Sequence, residues 1–94
     1  MNLLLEKLDG RHNARRVYSH RVWVRGHSHD RKRNYIQLRE WCWETFGPGC
    51  ERDLIWYNDS SSYRWAFHHD QKSDVLYIYL KEEVLTTFVL KWLN

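Results

Sequence analysis

Hydrophobic and polar positions alternate along some stretches of this chain and recur at helical spacing along others. In residues 17–25, His20, Val22 and Val24 share one side of an extended backbone, and Arg21, Trp23 and Arg25 share the other. In residues 75–80, Leu76, Ile78 and Leu80 oppose Tyr77 and Tyr79 in the same way. Both stretches are read as strands. Residues 31–46 read as a helix, with Tyr35, Leu38, Cys42 and Phe46 on one stripe and Ile36 and Trp43 widening it. Trp41 falls outside that stripe and is expected to be an exposed indole. Asp30 is positioned to cap the helix, and Gly47 followed by Pro48 to end it. Residues 81–93 read as a second helix, with Leu85, Phe88, Val89 and Trp92 inward, Glu82 and Glu83 at its start and Lys91 near its end. Residues 52–57 and 63–69 are strand candidates joined by a polar connection. In the second of these, Tyr63, Trp65 and Phe67 share one face. Residues 70–74 form a turn.

The order strand, helix, strand, strand, strand, helix predicts an α+β fold. Its economical form is a two-layer sandwich, a small antiparallel sheet of 3–4 strands with two helices on one face. Ninety-four residues make a single domain, assigned to residues 17–94. Residues 1–16 are an N-terminal extension: Leu3, Leu4, Leu5 and Leu8 read as an extra strand or one helical turn, and residues 11–16 as a mobile arm.

Composition sharpens this picture. The chain is 43% hydrophobic and 16% aromatic, enough for a core and unlike a disordered segment. Six Trp are more than a small core hides easily, so some are expected at a surface. The net charge of +3 is modest, but Arg11, Arg15, Arg16, Arg21, Arg25, Arg31, Lys32 and Arg33 concentrate it early, with Asp30 the only acid among them. Cys42 and Cys50 do not make a disulfide framework and are expected as reduced thiols. The start is too short in apolar residues and too charged for a signal peptide, and no stretch reaches membrane-spanning length. A cytoplasmic location without membrane contact is therefore expected.

If helices cover one sheet face, the other displays Trp23, Tyr77 and Tyr79 flanked by Arg21 and Arg25. Such a surface stacks on bases or docks on a protein, or it is buried under the Leu3-Leu4-Leu5 segment or a second subunit. Arg15, Arg16, Arg31 and Arg33 are expected as its charged rim. Metal binding by His27-Ser28-His29 with His68-His69-Asp70 lacks the Cys-rich or i, i+4 spacing of zinc sites, so no metal or cofactor is expected. Catalysis finds no paired carboxylates, phosphate loop or nucleophile elbow, and Cys42 lies on a buried stripe where a thiol is inert. The expectation is a protein that is not an enzyme.

Two resemblances add to this. Val22-Trp23-Val24-Arg25-Gly26 and Tyr77-Ile78-Tyr79 resemble the two aromatic strand motifs of the RNA-recognition-motif variant of the ferredoxin-like fold. That resemblance implies base stacking by Trp23, Tyr77 and Tyr79, on a sheet lacking the family's last strand. Trp41-Cys42-Trp43-Glu44-Thr45-Phe46-Gly47-Pro48-Gly49, with Tyr77-Ile78-Tyr79-Leu80-Lys81-Glu82-Glu83 and Phe88-Val89-Leu90-Lys91-Trp92, looks like a class of small uncharacterised tailed-phage proteins. It implies an accessory protein made in the host bacterial cytoplasm and implies no chemistry. Taken with the basic-aromatic face, the expectation is a non-enzymatic protein that binds and modulates a host protein or nucleoprotein complex. The alternatives are an RNA or single-stranded DNA binder using the same face, and a self-associating virion component whose aromatic face joins a homodimer.

Overall fold

The computed structural model describes residues 1–11, 17–51 and 63–93. Among the described residues, five strands and two helices follow one another as β1 (Leu3–Lys7), β2 (His20–Val24), α1 (Ser28–Phe46), β3 (Cys50–Glu51), β4 (Trp65–Asp70), β5 (Val75–Leu80) and α2 (Glu82–Trp92). They form one sheet in the order β1-β2-β5-β4-β3. The fold is α+β.

The expected sheet of 3–4 antiparallel strands is corrected to a mixed sheet of five. β1 pairs with β2, β2 with β5, and β4 with β5, all antiparallel, but β3 runs parallel to β4. The cause lies in the connection. β2 and β4 both run antiparallel to β5, so β3 shares the direction of β2, and α1 is the crossover that such a return requires. The strand expected at residues 52–57 lies outside the described residues; β3 is the pair just before it. Within residues 1–16, Leu3–Lys7 is a strand, its ladder extended by Leu8 N–H to Ser19 O at 2.9 Å and Arg25 N–H to Asn2 O at 2.9 Å.

The alternation decides which face each strand buries. Val22, Val24, Leu76, Ile78, Leu80 and Trp65 form one core cluster with Tyr35, Leu38 and Cys42 of α1 and Val84 and Phe88 of α2. Both helices thus pack on the face these strand residues share. Fully burying one side chain of this size contributes roughly 1.5–3 kcal/mol, so the cluster dominates stability. α1 starts earlier than expected, with His27 as its N-cap residue and no side-chain cap; Asp30 lies within the first turn and pairs with Arg33 instead. Gly47 does end the helix, at φ 87°, with its N–H bonded to Trp43 O.

Four side chains are placed differently from the sequence reading. Trp41 is packed, edge-on to Phe46, Phe88 and Trp92 at 5.2, 5.9 and 5.7 Å between centroids, so it joins the two helices. Ile36 and Trp43, expected to widen the buried stripe, are instead 53% and 54% exposed. Tyr63 does not share the face of Trp65 and Phe67; it packs with Tyr18 and Tyr79 across the sheet. No described helix is long and apolar enough to cross a membrane.

Candidate binding face

The sheet face away from the helices carries every strand residue proposed for contact. Register sets them in rows. Leu4, Trp23, Tyr77 and His68 stand opposite one another across β1, β2, β5 and β4. The next row runs through Glu6, Arg21, Tyr79 and Ala66 to Cys50 of β3.

The two rows have different fates. Tyr79 was expected at the surface, but it is only 3% exposed. Tyr18, in the connection between β1 and β2, lies over it at 6.2 Å between ring centroids, and Leu8, Val17, Tyr63, Ala66 and Cys50 complete a second small core there. The Tyr18 hydroxyl reaches the carbonyls of Tyr63 and Trp65, both at 3.5 Å. Burial pushes its phenol well above the ordinary tyrosine range, so it stays neutral. One end of the face is thus covered by the chain itself.

The other end is open. Trp23 and Tyr77 are half-buried neighbours, 6.0 Å apart and tilted 45°. The Arg25 guanidinium lies 5.5 Å over the Trp23 ring and Arg21 lies 4.4 Å over Tyr77, both cation–π distances. The two arginines differ in availability. Arg21 is bound by Glu6 through Nε and a terminal nitrogen at 3.1 and 2.9 Å. Burial opposes its charge, but Glu6, Tyr77 and Tyr79 outweigh that and hold Arg21 above the ordinary guanidinium range. Arg25 is exposed and, among the described residues, makes no ion pair.

The expected rim is only partly assembled. Arg15 and Arg16 lie outside the described residues. Arg33 pairs with Asp30 in the first turns of α1 at 2.6 Å and is not among the residues lining the cleft described next. Arg31 does reach it: with Trp23, Arg25, Gly26, Ser73 and Asp74 it lines a cleft of about 350 Å³ at the end of β2. Asp74 anchors that corner, binding Arg31 at 2.5 Å and His69 Nε2 at 2.8 Å. The His69 hydrogen bond and then the positive charges of Arg31 and Lys32 hold its carboxyl below the ordinary aspartate range, despite the opposing effect of desolvation.

Sequence reasoning missed one surface feature. Ile36, Arg39, Glu40 and Trp43 of α1 border a shallow apolar depression of about 290 Å³ beside Trp65. Arg39 lies 3.9 Å over the Phe67 ring at this flank. Cys42 and Cys50 are both buried and free, and burial pushes Cys42 up to about 12 and Cys50 upward as well, which disfavours the reactive thiolate form. Among the described residues, no three His, Cys, Asp or Glu side chains are grouped to hold a metal ion. The chain matches no family model, no curated protein and no solved structure.

Proposed function

We propose that this chain is a non-enzymatic binding protein of the small phage-accessory kind, and that it docks on a host protein or nucleoprotein complex through the open end of its sheet face. The observation that carries this reading is the Trp23–Tyr77 pair. Two aromatic rings on neighbouring strands stand half-buried beside exposed Leu4 and Arg25, on a face whose other end the chain fills with its own Tyr18 and Leu8. Aromatic and arginine anchors supply most of the energy at interfaces, and such a pair loses little conformational freedom on docking. The non-enzymatic part is supported by the thiols, which are sealed and held protonated. The phage-accessory part rests on the resemblance of residues 41–49, 77–83 and 88–92. A second reading, an RNA or single-stranded DNA binder, is favoured by the register that sets Trp23 directly opposite Tyr77, as stacked bases would need.

The test is affinity capture from bacterial lysate, with and without nuclease, using the wild type and Trp23→Ala. The expected result is a protein or nucleoprotein complex held by the wild type and lost by a Trp23→Ala variant whose circular dichroism is unchanged. Equal capture by the folded variant overturns the reading. Recovery of nucleic acid alone puts the second reading first.

A further inference from the structure

At the end of the sheet where β2 stops, the open face runs into the cleft of about 350 Å³ lined by Trp23, Arg25, Gly26, Arg31, Ser73 and Asp74. Its charges do not cancel. Asp74 is matched by Arg31 and hydrogen-bonded to His69, and Asp30, the acid in the first turn of α1, is matched by Arg33. Arg25 is left over, exposed and without an ion pair among the described residues. The Nε of Arg31 is sealed from solvent and has no acceptor there. Gly26, at φ +114°, turns the chain out of β2 with open space where a Cβ would stand. α1 follows at once with no side-chain cap, so the positive end of its dipole adds to the two guanidiniums. With Asp74 matched by Arg31, the unpaired Arg25 leaves the corner net positive, so it favours an anion over a cation.

The position of Arg25 over Trp23 narrows the choice of anion. A charge for a phosphate next to a flat ring for a base is the pairing that single-stranded nucleic acids meet at each nucleotide. An acidic peptide matches the charge, but the carboxylate side chain that would supply it carries no flat ring of its own to lay against the indole. We propose that the cleft receives a backbone phosphate of a single-stranded nucleic acid, with Arg25 as the direct ligand, Arg31 behind it and the adjoining base against Trp23. This deepens the proposed function by naming the nucleic-acid component of the partner, and rests on that reading only through Trp23.

The experiment measures fluorescence anisotropy of a labelled oligothymidylate and its uncharged methylphosphonate analogue. The proteins are the wild type, Arg25→Ala, Ser73→Asp, and Lys91→Ala as a control of equal charge loss on α2. The expected result is binding of the charged oligonucleotide only, weakened about tenfold by Arg25→Ala with a salt slope lower by about 1, and weakened by the carboxylate of Ser73→Asp. Lys91→Ala leaves it unchanged. Equal loss in Arg25→Ala and Lys91→Ala overturns the proposal, as does equal binding of the methylphosphonate or equal competition by polyglutamate. No oligonucleotide binding, with Trp23-dependent protein capture intact, also overturns it and leaves the docking face standing.

Discussion

Tyr18 lies over Tyr79 with their ring centroids 6.2 Å apart, and this contact closes one end of the sheet face. Tyr18 is wholly buried, so removing its ring leaves a cavity as well as losing its transfer energy. Tyr18→Ala is expected to cost about 3 kcal/mol or more, whereas Tyr18→Phe, which gives up one hydroxyl proton shared between two carbonyls at 3.5 Å, costs less than about 1 kcal/mol. Urea unfolding of the two variants checks this. A similar loss in both would mean that the hydroxyl, not the ring, holds the cover in place.

Gly49 has no room for a side chain. A Cβ there would stand 2.5 Å from two atoms of the Trp65 ring. That ring is fully buried and tied by its indole N–H to the Gly47 carbonyl at 2.8 Å, so it has nowhere to move. Gly49→Ala is expected to destabilise by about 1–3 kcal/mol through overpacking. An unchanged thermal midpoint would disprove it.

Asp74 joins the β4–β5 turn to α1, and it sits at φ 55°, a conformation that Asn shares at little cost. Asp74→Asn therefore removes the charge and leaves the backbone alone. The native carboxyl ionises below its ordinary 3.8, so its stabilising effect is complete above 3.8 and is lost as pH falls through the lowered value. Paired urea midpoints from neutral pH into acid should show the wild type ahead of Asp74→Asn, with the gap closing below 3.8. A gap that persists in acid would assign the difference to packing.

Glu6 restrains Arg21 at the border between the covered and open ends of the face. Both side chains keep some contact with water, so Glu6→Gln is expected to cost at most about 1 kcal/mol. It also leaves the guanidinium over Tyr77 without a counter-charge. Oligonucleotide affinity should rise and its salt dependence steepen; unchanged values would show that Arg21 stands too far from any bound phosphate to matter.

Much of this architecture is written in local pattern. The alternation of Val75–Leu80 marks β5, and the spacing of Tyr35, Leu38 and Cys42 marks the buried stripe of α1. Trp41 and Trp43 show where pattern stops. At roughly 100° per residue they flank the stripe at similar angles on opposite sides, and only the position of α2 decides between them. Phe88 and Trp92 lie on the Trp41 side, so Trp43 is left to solvent. The candidate site divides in the same way. The period of two put Trp23 and Tyr77 on one face, but the burial of Tyr79 and the pairing of Arg21 depend on partners brought in by β1 and its connection, whose register the sequence left open.

The central ladder sets Val22 opposite Ile78, two residues far apart along the chain. The β4–β5 hairpin is local and can close early, but β2 can add to it only by closing a long loop, an entropic step that slows folding in sheets of this topology. During synthesis β2 would therefore leave the ribosome well before its main partner, and β1 would have β2 alone to pair with. Until β5 emerges, the alternating face of Val22 and Val24 has no sheet to join, and that interval is when the young chain is most exposed to aggregation.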